Sequence, residues 1–120
     1  MKIARIDHLN LSVADLDRSV AFYERVLGMR TERLGEGRAA LYFGQQKIHL
    51  DAGPGTTSGE KRQPAHICFV AEAPLGEVKA HLESCSVAVR MEGPRAGAIG
   101  EIQSVYIDDP DRNSIEISNY

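Results

Sequence analysis

The sequence predicts an α+β fold in which two βαβββ modules form a mixed sheet within one domain. Two observations predict it. Period-two apolar patterns, typical of strands, surround two stretches with helical spacing, and the same order of elements occurs on both sides of a Gly-rich stretch at 52–64. The length of 120 residues and a hydrophobic share of 42% suit one compact domain. We place the modules at about 1–52 and 65–120.

The first module begins with a strand at 6–13, where apolar and polar residues alternate. Apolar residues at helical spacing then predict a helix between Asp15, a suitable N-cap, and Gly28, a suitable residue for the turn after a helix. The apolar stripe of this helix comprises Leu16, Val20, Tyr23 and Leu27. Three further strands are predicted at 29–33, 39–43 and 47–51.

The second module repeats this order. A strand at 65–70 precedes a helix at 74–83, in which Pro74 takes the first position. The other predicted elements are a short strand at 87–90, a flexible loop at 93–100, and strands at 103–107 and 114–118 that flank a turn. Three pairs of positions align the modules, namely His8 with His66, Tyr42 with Tyr106, and His49 with Glu116.

Charge and hydropathy exclude several classes of protein. A net charge of −3 does not provide the basic surface of a nucleic-acid-binding protein, and no apolar run is long enough to span a membrane. The first residues are charged where a signal peptide needs its apolar stretch. Two cysteines are too few for a disulfide framework, so we expect reduced thiols and a cytoplasmic location. Neither a nucleic acid nor a membrane is an expected partner.

Four polar residues indicate a metal site. His8, His49, His66 and Glu116 occupy two pairs of equivalent strand positions, and both His49 and Glu116 are flanked by apolar residues. A lone strand histidine is more often structural or solvated, and a buried glutamate is costly unless it is paired or bound to a cation. If the two modules come together, three imidazoles and one carboxylate converge, which suits a divalent transition metal.

The segments 6–16, 22–29 and 105–116 resemble the vicinal oxygen chelate superfamily of glyoxalases, bleomycin-resistance proteins and extradiol dioxygenases. The resemblance covers nearly the whole chain. It implies the glyoxalase fold, in which two βαβββ modules form a cup-shaped mixed sheet around a metal ion. The family takes its ligands from the first and last strand of each module, which implies the set His8, His49, His66 and Glu116.

The resemblance implies a metal-dependent enzyme, with lyase or isomerase chemistry as the first expectation. A divalent ion, which could be Zn, Ni, Co, Mn or Fe, would chelate two adjacent oxygens of a small-molecule substrate. Either Glu116 or a metal-bound hydroxide would then move a proton at carbon. Tyr106 is an acid, a group that positions an oxygen, or a packed core residue. The stretch 93–100, with Arg95, either closes over an anionic substrate or is a solvated loop.

Two alternatives stay open. An extradiol dioxygenase has a tyrosine ten residues before its glutamate ligand, as Tyr106 and Glu116 do, although His49 would occupy a position that substrate and dioxygen need. A drug-binding resistance protein of the bleomycin type uses the same cup without metal, but such cups favour aromatic walls and only 6% of this chain is aromatic. Glyoxalase I itself has an arginine where this chain has Ser12, which argues against glutathione as substrate.

We also expect a homodimer. The family often builds its cups at or beside a twofold contact, and a chain of 120 residues leaves sheet edges to be covered. Whether both modules of one cup come from the same chain stays open at this point.

Overall fold

The computed structural model describes residues 1–52 and 63–120, which fall into two compact units. Most of the predicted Gly-rich stretch, residues 53–62, lies outside the described residues. Each unit contains one helix and one four-stranded mixed sheet. The predicted α+β fold with two βαβββ modules is therefore confirmed.

The first unit is a four-stranded sheet with one helix. The strand order is β1-β4-β3-β2, with β1 parallel to β4 and the other pairs antiparallel. Helix α1 packs against β2 and β3. The elements are β1 (His8–Ser12), α1 (Leu16–Leu27), β2 (Arg30–Gly35), β3 (Arg38–Phe43) and β4 (Gln46–Asp51).

The second unit has the same topology. Its strand order is β5-β8-β7-β6, with β5 parallel to β8 and the other pairs antiparallel. Helix α2 packs against β7. The elements are β5 (His66–Val70), α2 (Leu75–Ser84), β6 (Met91–Ala96), β7 (Glu101–Asp108) and β8 (Ser114–Asn119).

The strand registers correct one of the predicted equivalences. Asn10 pairs with His49 in the first sheet and Cys68 pairs with Glu116 in the second, so His8 and His66 are equivalent, as are His49 and Glu116.

The predicted match of Tyr42 with Tyr106 is wrong. Tyr106 pairs with Glu116, whereas His49 pairs with Ala40, so Ala40 is the counterpart of Tyr106. The similar triplets around the two tyrosines misled the alignment by two residues. The hydroxyl of Tyr106 is consequently a feature of the second sheet alone.

The helix ends follow the predicted capping chemistry in α1 and differ from it in α2. Asp15 accepts a hydrogen bond from the Arg18 amide at 3.0 Å, and Gly28 has a left-handed backbone with φ of 64°. The buried stripe includes Val20, Tyr23 and Val26, so Val26 takes the place predicted for Leu27. Pro74 precedes α2 as its N-cap rather than forming its first helical residue, because its backbone is extended.

The prediction for 87–100 is wrong in two places. Residues 87–90 form no strand, and the predicted flexible loop at 93–100 begins with strand β6. Gly93 and Pro94 suggested a loop, but β6 is an outer strand, where a proline can present its missing donor away from the ladder. Antiparallel pairing to β7 places Arg95 opposite Ile102.

The apolar residues of the last strands form the core on one face of each sheet. Ile48 and Leu50 of β4, and Ile115 and Ile117 of β8, are at most 5% exposed. Burial of each such side chain contributes about 1.5–3 kcal/mol. Because side chains alternate along a strand, His49 and Glu116 are directed to the other face. In the parts of the chain that the structure describes, no helix is long and apolar enough to cross a membrane.

Candidate functional site

The first unit brings together two of the four predicted metal ligands. The His8 and His49 rings, on the parallel strands β1 and β4, have centroids 5.2 Å apart and planes tilted by 36°. His8 Nδ1 lies 2.8 Å from Asp7 Oδ1, and this hydrogen bond is the main cause of a lowered Asp7 pKa. The contact occupies Nδ1 and leaves His8 Nε2 available as a donor to a metal.

His49 is suited to a ligand because it is held in its neutral form. Burial lowers its pKa, and the positive charges of Lys47, His8 and Arg38 lower it further. A histidine binds a metal through a neutral imidazole, so the same surroundings that oppose protonation favour metal binding.

The second unit brings together the other two predicted ligands. His66 Nε2 lies 2.9 Å from Glu116 Oε2, across the parallel strands β5 and β8. The His66 side chain is 56% exposed, while that of Glu116 is only 7% exposed. The two donor atoms therefore meet at one point, with the imidazole on the open side and the carboxylate on the buried side.

Hydrogen bonds stabilise the Glu116 carboxylate against its burial. The Ser104 hydroxyl donates to Glu116 Oε1 at 2.6 Å, and the Ser118 hydroxyl lies 2.7 Å from Ser104 Oγ. Burial opposes ionisation, but hydrogen bonds from Ser104, His66 and Tyr106 outweigh it and hold the Glu116 pKa below its ordinary value. Because Ser104 engages Oε1, Oε2 is the oxygen presented to His66 and to a cation.

Sequence reasoning missed Ser104 and Ser118, both of which are fully buried. The available signal was weak: a small polar residue follows Ile117 on β8, and another precedes Val105 on β7. Cys68, which shares a face of β5 with His66, extends this group, since its Sγ lies 3.3 Å from Ser118 Oγ. Burial raises the pKa of the Cys68 thiol, so it is a neutral packing group at ordinary pH.

The donors present in each pair fit a divalent transition metal. Imidazole nitrogen and carboxylate oxygen are its usual ligands, and second contacts from Asp7 and Ser104 orient one donor of each pair. Among residues 1–52 and 63–120, no three His, Cys, Asp or Glu side chains group closely enough to hold an ion. The four-ligand centre of His8, His49, His66 and Glu116 therefore stays a prediction.

A cavity of about 440 Å³ in the second unit adjoins the His66–Glu116 pair. Tyr106 lies on its wall, with its ring centroid 5.8 Å from that of His66, and is 5% exposed. Its hydroxyl accepts a hydrogen bond from Arg95 Nε at 2.9 Å. Burial raises the Tyr106 pKa, so the phenol keeps its proton and can donate it to an acceptor in the cavity.

Two mixed βαβββ sheets, each with a His-containing pair on the face opposite its core, are the arrangement of a glyoxalase-type protein. The model of the Glyoxalase/Bleomycin resistance protein/Dioxygenase superfamily matches residues 5–117, and the chain belongs to this family.

The chain is similar to virulence protein STM3117 of Salmonella typhimurium. The two are 41% identical over 126 residues, which span 100% of this chain and 87% of the Salmonella protein. The crystal structure of that protein superposes with a TM-score of 0.89 at 39% identity, covering 100% of this chain and 99% of the other.

Two more distant relatives are named as enzymes. A metallothiol transferase FosB of Shouchella clausii is 29% identical over 114 residues, covering 93% of this chain and 77% of that protein. A lactoylglutathione lyase from Agrobacterium tumefaciens has a TM-score of 0.79 at 26% identity, with 99% of this chain and 96% of that chain covered. The superfamily around this chain therefore includes enzymes with different reactions.

Proposed function

We propose that this chain is a metal-dependent enzyme that binds a small oxygenated molecule through two adjacent oxygens and moves a proton at carbon, the chemistry of a lyase or an isomerase. The observation that carries the proposal is the buried, ionised Glu116 carboxylate, which faces His66 at the edge of a cavity. A carboxylate that hydrogen bonds hold ionised at the wall of a cavity is available as a metal ligand or as a base.

The proposed ligands are His8, His49, His66 and Glu116, and the proposed cofactor is one divalent ion of Zn, Ni, Co, Mn or Fe. When bound, such an ion supplies Lewis acidity to the two substrate oxygens. Asp7 fixes the ring of His8 and Ser104 fixes the carboxylate of Glu116, so the donors are oriented before binding.

The chain's own residues account for the proton transfer. Glu116 is held ionised and would take a proton from the substrate carbon only with Oε2 free of the ion, since ligation lowers the basicity of a carboxylate. The Tyr106 hydroxyl keeps its proton and would shift its hydrogen bond from Glu116 to the substrate oxygen on which negative charge develops.

Metal analysis of the full chain, purified without added metal, tests the proposal. We expect about one ion per chain in the wild type, with loss in His49→Ala and retention in His81→Ala, an exposed residue of α2. Retention in His49→Ala favours a three-ligand site of the extradiol dioxygenase kind. A wild type without metal contradicts the proposal and favours a drug-binding protein of the bleomycin-resistance type.

The catalytic role of Glu116 has a separate test. In Glu116→Gln, metal is measured first, and then exchange of a carbon-bound proton of hydroxyacetone in heavy water is followed by NMR. We expect the exchange rate to fall about 100-fold or more, because an amide cannot accept the proton. Unchanged exchange in the variant contradicts the assignment.

Metal-dependent thiol transfer is a second candidate, favoured by the similarity to a protein named as a metallothiol transferase. The two reactions differ in their co-reactant, since a transferase consumes one thiol for each substrate molecule and an isomerase consumes none. Titration of free thiol during turnover with a chromogenic disulfide distinguishes them.

We also propose that the chain forms a homodimer in the cytoplasm. Each sheet has two edge strands, which are β1 and β2 in the first sheet and β5 and β6 in the second. Natural proteins cover such edges. A reducing compartment would keep the unpaired Cys68 and Cys85 as thiols. Light scattering on the purified chain tests the dimer.

A further inference from the structure

The cavity beside Glu116 contains an arginine whose charge is not neutralised. Among the residues that line this cavity, all of them described, Arg95 is the one permanent cation. Its Nε donates to the Tyr106 hydroxyl at 2.9 Å, and its Nη1 donates to the Pro94 carbonyl at 2.7 Å. Both acceptors are neutral, and no carboxylate among the described residues pairs with this guanidinium.

The hydrogen bonds of Arg95 leave part of its donor set available. A guanidinium has five N–H donors. The two contacts use one on Nε and one on Nη1, and the other three N–H groups are available. These two contacts hold the side chain in place, and its carbon Cζ lies 5.1 Å from the centroid of the Tyr106 ring. The remaining N–H groups are therefore preorganised for an acceptor that the protein itself does not supply.

The wall next to Arg95 is also held in place. The Gly97 amide donates to the Gly100 carbonyl at 2.7 Å, and the Ile99 amide donates to the Tyr120 hydroxyl at 3.3 Å. A β-carbon on Gly97 would lie 2.7 Å from that hydroxyl, which leaves no space for a larger residue. The turn between β6 and β7 thus packs on the last residue of the chain.

Charge separates the two ends of the cavity. Glu116 is hydrogen-bonded by Ser104 and lies against His66, so its carboxylate is already accommodated without Arg95. Tyr106 lies between the two charged groups, since its hydroxyl accepts from Arg95 and it pairs with Glu116 on the neighbouring strand. A ligand that fills the cavity can therefore meet the donor pair at one end and a guanidinium at the other.

We propose that the substrate carries an anionic oxygen group, a carboxylate or a phosphonate, which Arg95 binds while the oxygens that react lie at the Glu116 end. This inference rests on the proposed function and adds the substrate class to it. Arginine binds such groups through charge-assisted hydrogen bonds, which are about twice as strong as neutral ones.

The test compares three small chelators on the zinc-loaded full chain by calorimetry. Acetohydroxamic acid carries only the two chelating oxygens, and the other two are a hydroxamic acid with a terminal carboxylate and one with a terminal phosphonate. We expect an anionic chelator to bind the wild type about tenfold or more tightly than acetohydroxamic acid. Whichever anionic chelator, carboxylate or phosphonate, gains more affinity over acetohydroxamic acid identifies the anionic group.

Variants of two arginines in the same unit make the comparison specific. Arg95→Ala should reduce the gain over acetohydroxamic acid to less than about twofold, while Arg95→Lys should keep part of the gain. Arg90→Ala is the matched control, because Arg90 pairs with Asp108 at 3.2 Å and does not line the cavity. An equal gain in wild type and Arg95→Ala, or no gain for either anion, overturns the inference.

A titration of the metal-free chain separates this inference from the proposed function. If none of the chelators binds the zinc-loaded wild type, the metal-centred function fails. The metal-free chain is then titrated with succinate and with methylphosphonate by NMR. Shifts of the Gly97 and Ile102 amides in wild type and Arg90→Ala, but not in Arg95→Ala, support the anion subsite. Their absence in the wild type refutes it.

Discussion

Ser104 donates its hydroxyl hydrogen to Glu116 Oε1 at 2.6 Å, from the middle of β7 to the neighbouring strand β8. Both residues are buried, with Ser104 fully so. A hydroxyl has one hydrogen, so Ser118, at 2.7 Å, must donate to Ser104 in turn. The carboxylate orientation is thus set by two serines behind it, and Oε2 is left to face His66.

Ser104→Ala should weaken metal binding more than it weakens the fold. Loss of the hydroxyl frees the carboxylate to rotate, and loss of such a second contact lowers metal affinity about tenfold or more. The measurement is the zinc dissociation constant by competition with a chromophoric chelator. Ser84→Ala is the control, because the Ser84 hydroxyl donates to the His81 carbonyl of its own helix. Equal zinc affinity in wild type and Ser104→Ala would disprove the positioning role.

Asp109 holds the turn between β7 and β8 and should be important for stability. Its Oδ1 accepts from the amides of Asp111 at 2.9 Å and Asn113 at 2.8 Å, and its Oδ2 accepts from Asn113 Nδ2 at 2.7 Å. Asn113 in turn accepts from the Ala65 amide at 2.8 Å, which ties the turn to the start of β5.

Asp109→Ala should therefore lower the free energy of unfolding by about 2 kcal/mol, because it leaves buried donors without acceptors. Urea unfolding followed by circular dichroism measures the change. Asp108→Ala, which removes an exposed ion pair with Arg90, should cost less than about 1 kcal/mol. The prediction fails if the two neighbouring aspartates have equal effects.

Two glycines should respond oppositely to the same substitution. Gly28 has φ of 64° and Gly76 lies in α2 with an ordinary backbone, and a β-carbon on either residue would meet no atom within 4 Å. Any change in stability then comes from the backbone alone. Gly28→Ala should lose about 1 kcal/mol and Gly76→Ala should gain about 0.5 kcal/mol, measured by urea unfolding. Stabilisation by Gly28→Ala would contradict the left-handed conformation.

The sequence was sufficient to predict the strands and helix ends that depend on residues close together in the chain. Alternation over β1 and the caps Asp15 and Gly28 depend on residues close together in the chain, and the structure has these elements at nearly the predicted bounds. Strand β6 could not be predicted in this way. Gly93 and Pro94 oppose a strand locally, and only pairing with β7 makes one.

The candidate site likewise combines residues that the sequence could select with contacts that only the structure reveals. Residue type and module equivalence selected the candidates His8, His49, His66 and Glu116, and the structure brings them together as two pairs, one in each sheet. The roles of Ser104 and Arg95 depend on contacts with Glu116 and Tyr106 across strands, which no spacing in the sequence reveals. The register also placed Tyr106 two positions away from its predicted alignment, because similar triplets do not fix pairing.

Asp7 allows metal affinity and stability to be separated in the first unit. Its carboxylate contacts His8 Nδ1 at 2.8 Å, and its side chain is 71% exposed, so the contact contributes little to the fold. Asp7→Ala should change the free energy of unfolding by less than about 0.5 kcal/mol, yet weaken zinc binding several-fold, because the His8 ring loses its orientation. Asp17→Ala, which breaks the exposed contact with Arg33 at 2.7 Å, is the matched control and should leave zinc binding unchanged. If Asp7→Ala and Asp17→Ala bind zinc equally well, Asp7 has no part in orienting His8.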